Sequence, residues 1–208
     1  MIDVSALLLS LRIAGSSALL LAALGLPFTY WLARRRGPMV AGVEALLALP
    51  LVLPPTVLGF YLLLLLSPLK LAFSFTGLVI ASVLSGLPLA GQSFLAGFRG
   101  VDRKYVENAR LLGAGEAAIF WRVALPLAKE GILSGIILSF AHALGEFGVV
   151  LMIGGNIPGV SRTLSLALYD EVTAFNYQAA NRTAAVLLGF SLLSLAVVAA
   201  LKGRRGDR

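Results

Sequence analysis

Five long apolar segments are the feature of this sequence that most limits its fold. They cover residues 5–33, 40–66, 78–98, 127–153 and 183–201. Each is long enough to cross a bilayer, which takes about 20 apolar residues in an α-helix. A helix is expected because it pairs its backbone polar groups internally, where no water is available. The sequence therefore predicts an all-α membrane protein of about five transmembrane helices, forming a single domain over residues 1–208.

The composition agrees with a lipid environment and excludes several kinds of site. Hydrophobic residues make up 59% of the chain and charged residues 13%, whereas a soluble domain is about a quarter charged. Cysteine is absent and His142 is the one histidine, so no disulfide, thiolate site or multi-histidine metal site is expected. The chain also lacks a Walker-type phosphate loop. We therefore expect no catalytic site, no metal and no cofactor bound by this chain.

The basic residues indicate the orientation in the membrane. Thirteen of the 17 lysines and arginines fall on one side of the predicted bundle. By the positive-inside rule this side is cytoplasmic, with the N-terminus outside and the C-terminus inside. The net charge of +7 is then a topology signal, and no nucleic-acid partner is expected. The cytoplasmic set is Arg34, Arg35, Arg36, Arg99, Arg103, Lys104, Arg110, Arg122, Lys129, Lys202, Arg204, Arg205 and Arg208.

A polar insert, residues 103–126, separates the third and fourth predicted spans. Two short helices are expected in it, over residues 104–112 and 116–122. Gly113 lies at the break between them, because glycine accepts the left-handed conformation that ends a helix. Pro126 is expected to begin the fourth spanning helix, since a proline in the first turn loses no hydrogen bond.

Two glutamates of the insert have predicted electrostatic roles. Glu107 is spaced to pair with Arg110 or Arg103 on one helix face. Glu116 falls in the first turn of the second helix, where the positive end of the helix dipole favours a carboxylate. Composition alone is equally compatible with an amphipathic loop that lies on the inner membrane surface.

The spacing of residues in the insert forms a motif. Glu107-Asn108-Ala109 is followed by three residues, Gly113, nine residues, and then residues 123–126, Val-Ala-Leu-Pro. This resembles the Glu-Ala-Ala, three residues, Gly, nine residues, Ile-x-Leu-Pro motif that importer-type ABC permeases present to their ATPase. Asn108 replaces an alanine and Val123 an isoleucine. The resemblance implies an ATPase-coupling role for Glu107, Asn108, Ala109, Gly113, Ala114, Gly115, Glu116, Val123, Leu125 and Pro126.

Further stretches narrow the resemblance. Residues 49–59, 143–148, 151–159, 162–166 and 169–170, taken with the insert, are similar to the permease subunit of molybdate/tungstate ABC importers. This resemblance extends over nearly the whole chain and implies the type I ABC importer permease fold in a prokaryotic inner membrane. It also implies a homodimer, two cytoplasmic ATPase subunits that carry ATP and Mg, and an extracytoplasmic oxyanion-binding protein. The related sulfate/thiosulfate permeases are the nearest alternative.

Polar and helix-breaking residues within the spans are candidates for the translocation pathway or its gate. Prolines kink a helix, and broken helix within a membrane is found where it is buried in protein or lines a cavity. An intramembrane carboxylate indicates a functional site, and Glu146 lies four residues after His142 on one helical face. A structural kink, interhelical hydrogen bonding and an immobile polar lock are the competing interpretations. The candidates are Pro54, Pro55, Thr56, Gln92, Ser93, His142, Glu146 and Phe147.

A channel or an intramembrane enzyme is the alternative from a different class. An intramembrane protease needs a Ser/His or paired-Asp constellation inside its spans, but every aspartate falls outside the predicted spans. Ser139 and His142, three residues apart, are a weak signal for such a site. The sequence therefore favours a transport subunit driven by an external ATPase.

Overall fold

All regular secondary structure is helical in the part of the chain that the computed structural model describes. This part is residues 2–203, with side chains as far as residue 201, so the side chains of the predicted basic tail at residues 202–208 lie outside it. The helices are α1 (Val4–Ala33), α2 (Pro38–Val52), α3 (Pro55–Leu66), α4 (Phe75–Arg99), α5 (Arg103–Leu111), α6 (Glu116–Ile119), α7 (Leu125–Leu127), α8 (Lys129–Gly145), α9 (Gly148–Gly154), α10 (Leu164–Thr173) and α11 (Tyr177–Gly203). A π-helical turn, Phe120–Ala124, joins α6 to α7.

The predicted class, an all-α membrane protein with about five spans, is confirmed. Within the described residues α1, α4 and α11 are each long and apolar enough to cross a membrane. Two bent pairs raise the number to as many as five. The first is α2 with α3, bent by 106°, and the second is the last part of the insert with α8, bent by 76°.

The second predicted span is two helices because of a proline pair. Leu53 and Pro54 both adopt extended backbone, with ψ angles of 135° and 133°. Each precedes a proline, whose ring clashes with a helical conformation of the residue before it. Pro55 then begins α3, where its missing N–H costs no helix hydrogen bond. The sequence predicted kinks here, and the structure shows a complete break.

The centre of the molecule is formed by α1, α4 and α8, which pack against one another. The contact between α4 and α8 brings backbone against backbone, because a Cβ atom added to Gly131 would lie 2.6 Å from the Cα of Gly97. Phe94 is fully buried beside Gly135, whose missing side chain leaves room for the ring. Glycine therefore permits the close approach of these helices, as small residues commonly do in membrane proteins.

The outer helices are much less covered. In the most apolar 18-residue stretch of α4, 61% of the residues are buried, against 6% in α11. Helix α11 packs on α8 and α10, and α3 packs on α9. The apolar faces of α11, α2 and α3 are thus left for lipid or for another protein chain.

The fourth predicted span, residues 127–153, is wrong in two respects. It is interrupted at Glu146 and Phe147, so that α8 and α9 are separate helices. Pro126 does not begin the spanning helix but lies in α7, which continues the helix of the insert. The chain turns at Ala128, which is 2% exposed and packs on Gly97. This tertiary contact, which sequence spacing does not reveal, moves the start of α8 to Lys129.

The other spans keep their predicted positions with shifted ends. Helix α1 covers residues 4–33, α4 covers 75–99 rather than 78–98, and α11 begins at Tyr177 rather than at residue 183. The second span begins at Pro38 rather than at residue 40. At the start of α11 the polar residues Gln178, Asn181 and Arg182 extend the apolar segment, because helical hydrogen bonding continues past the edge of an apolar stretch.

Candidate functional site

The insert folds as the predicted helix–turn–helix. The Asp102 carboxylate accepts a hydrogen bond from the N–H of Lys104 at 3.0 Å and caps the start of α5. After α5, Gly113 adopts a φ of +82°, a conformation that favours glycine. Its N–H donates to the Arg110 carbonyl, and the N–H of Ala114 donates to the Ala109 carbonyl. These bonds satisfy the carbonyls at the end of α5 and reverse the chain tightly.

The tip of this turn is apolar and exposed. Leu111 is 86% exposed and Leu112 is 89% exposed. Two neighbouring leucines with so little cover are uncommon on a surface that faces only water, and they indicate a contact surface. Sequence spacing did not single them out, because the family motif counts them only as two of three unspecified residues.

A three-residue ion pair fixes the insert to the end of α1. Glu116 accepts hydrogen bonds from Arg34 and, at 2.6 Å, from Arg110. The bonds from Arg34 and then from Arg110 lower the pKa of Glu116 to about 2. The same contact with Glu116 raises the pKa of Arg34 above its usual value. Arg34 and Glu116 are 82 positions apart, so only the folded chain reveals this pairing.

The predicted pairing of Glu107 with Arg110 or Arg103 is wrong. Arg110 pairs with Glu116 instead, and Glu107 forms no ion pair among the described residues. The side chain of Glu107 is exposed and lines a cleft beside α1. The Glu116 carboxylate accepts hydrogen bonds from two arginines. It therefore competes more strongly for the guanidinium of Arg110 than the exposed carboxylate of Glu107 on the same helix does.

Aromatic rings attach the second helix of the insert to the bundle. Phe120 lies 5.1 Å from Tyr30 of α1 and 6.1 Å from Phe98 of α4, measured between ring centroids. Ile119, Phe120 and Ala124 are the buried residues of this helix. The motif residues Ala114, Val123 and Leu125 are half-buried on the insert, whereas Asn108, Gly115 and Pro126 are exposed. One face of the insert thus packs on α1 and α4, and the opposite face is open.

The break between α8 and α9 encloses a buried carboxylate. Glu146 is 7% exposed. One carboxylate oxygen lies 3.3 Å from His142 Nε2, and the other accepts a hydrogen bond from the N–H of Val149 at 3.0 Å. The latter bond caps α9. The contact of Glu146 with His142, which their four-residue spacing indicated, is therefore present, and a backbone hydrogen bond accompanies it.

A second set of hydrogen bonds ties this break to α10 and α1. Ser165 Oγ donates to the Glu146 carbonyl at 2.6 Å, and Ser10 Oγ accepts from the N–H of Leu164 at 2.8 Å. Phe147 contacts Tyr169 with 5.1 Å between ring centroids. Ser10 and Ser165 were not predicted as site residues, because a serine in an apolar helix carries no signal for its partner, which lies 154 positions away for Ser10 and 19 positions away for Ser165.

The two broken spans meet at the predicted proline site. A Cβ atom added to Gly148 would lie 2.8 Å from the Cβ of Pro55. The structure thus brings Pro55 next to the break that contains Glu146 and Phe147. Pro54 and Thr56 flank this contact and are exposed. The break at the proline pair and the break at Glu146 therefore form one continuous region.

Gln92 and Ser93 lie outside this region and face different sides of α4. Ser93 faces α8, since its Cβ would be 3.0 Å from a Cβ atom added to Gly135. Gln92 is exposed on another side of α4, in a cavity of about 380 Å³ beside Glu44 and Arg99. Arg99 and Glu44 form an ion pair that joins α4 to α2. The position of Ser93 supports helix packing for that residue.

Comparison with known proteins agrees with this architecture. Residues 21–205 match the family model described as binding-protein-dependent transport system inner membrane component. The molybdenum transport system permease protein ModB of Azotobacter vinelandii is 42% identical over 206 residues, which cover 93% of this chain and 91% of the relative. The ModB of Escherichia coli K12 is 34% identical, with 92% and 90% covered.

The fold is shared with a solved transporter. A chain of the inward-facing MetNI methionine ABC transporter superposes with a TM-score of 0.78 at 17% sequence identity, covering 96% of each chain. At this identity the likeness shows the fold alone. The predicted permease family and the type I ABC importer permease fold are confirmed. The chain belongs to the family of binding-protein-dependent transport system inner membrane components.

Proposed function

We propose that this chain is the permease subunit of an ATP-driven importer of molybdate and of the similarly shaped tungstate. The relatives named as molybdenum transport permeases, 42% and 34% identical over almost the whole chain, support this substrate. Two copies form the pathway, two ATP-binding subunits supply the energy, and an extracytoplasmic oxyanion-binding protein delivers the substrate. The chain itself carries no catalytic site and binds neither ATP nor Mg.

The geometry of the insert is the observation that carries the proposal. Its exposed tip, Leu111 and Leu112, projects from a tight turn at Gly113, while its opposite face is held on the bundle. Exposed apolar side chains on a rigid support indicate a protein contact. The insert is the docking site for the ATP-binding subunit.

Coupling follows from how the insert is connected. It leaves α4 at Arg99 and enters α8 at Lys129, so its two ends are continuous with two of the three central helices. When ATP draws the two ATP-binding subunits together, each insert is carried inward and its bundle tilts. ATP binding biases the alternating-access equilibrium, because it favours the conformation in which the subunits are closed.

The basic side of the bundle is the cytoplasmic side in this scheme. Arg34 contacts the insert through Glu116, so the arginines after α1 and the insert lie at the same end of the molecule. Lys70 and Arg162 fall in the loops of the other end. The excess of basic residues at the insert supports a cytoplasmic insert and C-terminus and an external N-terminus.

The region of the two broken spans is the proposed gate. A fixed negative charge repels a dianion, so Glu146 braces this region rather than binding the substrate. Its hydrogen bonds to Val149 and His142 hold the break in one conformation. Pro54, Pro55 and Thr56 lie against the break or beside it, and Phe147 extends the region towards α10.

Two glycines of the same turn provide the test. Gly113 has a φ of +82°, so Gly113→Val strains the turn, whereas Gly115 has a φ of −71° and open space around its Cα. We expect Gly113→Val to lose most of the ATP-binding subunit that copurifies with the chain, together with molybdate uptake. Gly115→Val, which adds the same side chain without backbone strain, should retain more of both, and equal membrane levels of the two variants show that insertion is unaffected.

Three outcomes would contradict the proposal. The variants could retain the ATP-binding subunit equally, or the unaltered chain could pass molybdate without that subunit. Uptake of sulfate that excess molybdate does not suppress would assign the chain to the sulfate/thiosulfate alternative.

A further inference from the structure

A cleft with a strongly basic lining opens between the insert and the ends of α1 and α4. Its volume is about 470 Å³, within the range of about 300–1,000 Å³ typical of small-molecule sites. The floor is apolar and partly aromatic, and the rim carries six arginines and one acid. The floor residues are Tyr30, Ala33, Phe98, Val101, Val106 and Ala124, and the rim residues are Arg34, Arg35, Arg36, Arg99, Arg103, Arg110 and Glu107.

Three of the six arginines already form ion pairs with carboxylates. Arg34 and Arg110 share the carboxylate of Glu116, and Arg99 pairs with Glu44. Only two carboxylates therefore balance the positive charges of these three arginines.

The remaining arginines have no carboxylate partner within residues 2–203. Arg35 lies over the ring of Trp31 at 4.3 Å from its centroid, and Arg36 and Arg103 are exposed. Against these three positive charges stands the single unpaired carboxylate of Glu107. The cleft therefore holds an excess of positive charge that suits a ligand carrying one or two negative charges.

The arrangement selects a particular chemical group. Guanidinium groups bind phosphate oxygens through paired hydrogen bonds, which a single ammonium group does not provide. An apolar floor below a basic rim suits a molecule with a phosphate head and a carbon portion. Phe28 and Trp31, both on α1, are 40% and 41% exposed just before the arginines, as expected of rings at a membrane–water boundary.

We propose that this cleft binds the phosphate group of an anionic phospholipid from the leaflet at the insert end of the bundle. Basic pockets between transmembrane helices at the cytoplasmic surface hold such head groups in general. The site goes beyond the proposed transport function, because it depends neither on the transported substrate nor on docking of the ATP-binding subunit. A bound phosphate lies beside the Arg34–Glu116–Arg110 contact and competes with Glu116 for its two arginines.

Lipid binding to the full-length chain, purified in a neutral detergent, tests the site by native mass spectrometry. Phosphatidylglycerol is compared with phosphatidylcholine, and inorganic phosphate is titrated separately to identify a free anion as the source. We expect phosphatidylglycerol to bind more tightly than phosphatidylcholine. Arg36→Gln/Arg103→Gln should weaken phosphatidylglycerol binding about tenfold, the factor for losing roughly one charge-assisted hydrogen bond.

The controls separate a site from general charge attraction. Arg12→Gln/Arg182→Gln removes the same charge outside the cleft and should leave binding unchanged. Arg36→Lys/Arg103→Lys keeps the charge and should bind with intermediate affinity. If the glutamine pair does not fold, as judged by size-exclusion chromatography, the single variant Arg36→Gln and the lysine pair give the comparison.

The outcomes divide as follows. Saturable binding of inorganic phosphate, displaced by phosphatidylglycerol and lost in Arg36→Gln/Arg103→Gln, would support the cleft as a phosphate site. Equal binding of the two lipids, or an equal loss in Arg12→Gln/Arg182→Gln, would overturn it. Binding to the isolated chain that disappears when the ATP-binding subunits are present would also overturn it, by assigning the cleft to the partner.

Discussion

Helix α8 is attached to its surroundings differently at its two ends, and a glutamate is central to each attachment. At the insert end, the Glu116 side chain is 58% exposed and is held by Arg34 and Arg110. At the far end, the Glu146 side chain is 6% exposed and is held by His142 and a backbone N–H. The first attachment can exchange its partners with water or with another protein, whereas the second cannot be broken without exposing buried polar groups.

This difference separates two tasks. A surface that receives a partner benefits from exposed ion pairs, which contribute little to stability and rearrange at low cost. A break inside the bundle needs complete hydrogen bonding, because an unpaired buried group costs much more than the bond contributes. The insert end is thus adaptable and the Glu146 end is rigid.

Removing each carboxylate in turn should show the difference between the two ends most clearly. Glu146→Ala leaves the N–H of Val149 and the ring of His142 without their partner, at a cost of about 2–3 kcal/mol of unfolding free energy. Glu116→Ala should cost less than about 1 kcal/mol, because the group is exposed. Unfolding in detergent, followed by circular dichroism, measures both.

Glu146→Gln separates the charge of the side chain from its hydrogen bonding, since the amide oxygen can still accept the hydrogen bond from the N–H of Val149. It should be less destabilised than Glu146→Ala yet impaired in transport and in coupling to ATP hydrolysis. Equal losses in Glu146→Ala and Glu116→Ala would remove the distinction between the two ends. Unchanged transport and coupling in Glu146→Gln would remove the bracing role.

Ser165 provides a smaller test of the rigid end. Ser165→Ala removes the hydrogen bond to the Glu146 carbonyl and should destabilise the chain by about 1 kcal/mol. Ser191 also donates to a carbonyl, that of Leu187, but is exposed on α11. Ser191→Ala should therefore be close to neutral, because the Leu187 carbonyl still accepts its backbone hydrogen bond within α11. A loss in Ser191→Ala as large as that in Ser165→Ala would show that burial does not decide the difference.

The smallest effect should be the pH dependence of the ion pair at the insert end. The pKa of Glu116 is lowered from 4.5 to about 2 by its two arginines. A depressed carboxyl pKa stabilises the folded state fully above the unfolded value and loses this contribution as pH falls through the folded value. The stability difference between the unaltered chain and Glu116→Gln should thus be present at pH 7 and shrink progressively between about pH 4.5 and 2. A difference that stayed constant down to pH 2 would contradict the ion pair.

Local features of the sequence predicted the local features of the structure. Gly113 predicted the turn, the pair Pro54-Pro55 predicted a disturbed helix, and the spacing of His142 and Glu146 predicted their contact. Each rests on backbone conformation or on a separation of a few residues, so the chain needs no tertiary information to show it. The motif of the insert was recognisable for the same reason.

Features that depend on packing were missed. Arg34 and Glu116 are neighbours only because α1 and the insert meet, and Ser10 reaches Leu164 across 154 positions. Glu107 and Pro126 were misassigned because a local rule gave an answer that the folded chain overrides. Arg110 had a better partner in Glu116, and the contact of Ala128 with Gly97 moved the bend past the proline.

The contact of Gly97 with Gly131 has a mechanical consequence. With no side chains between them, the backbones of α4 and α8 already touch, so the two helices cannot approach further at this point. A force that the insert transmits to both helices therefore cannot be absorbed by closing the space between them. The flexibility that a conformational change needs has to lie elsewhere. The extended residues Leu53 and Pro54, between α2 and α3, form the obvious hinge.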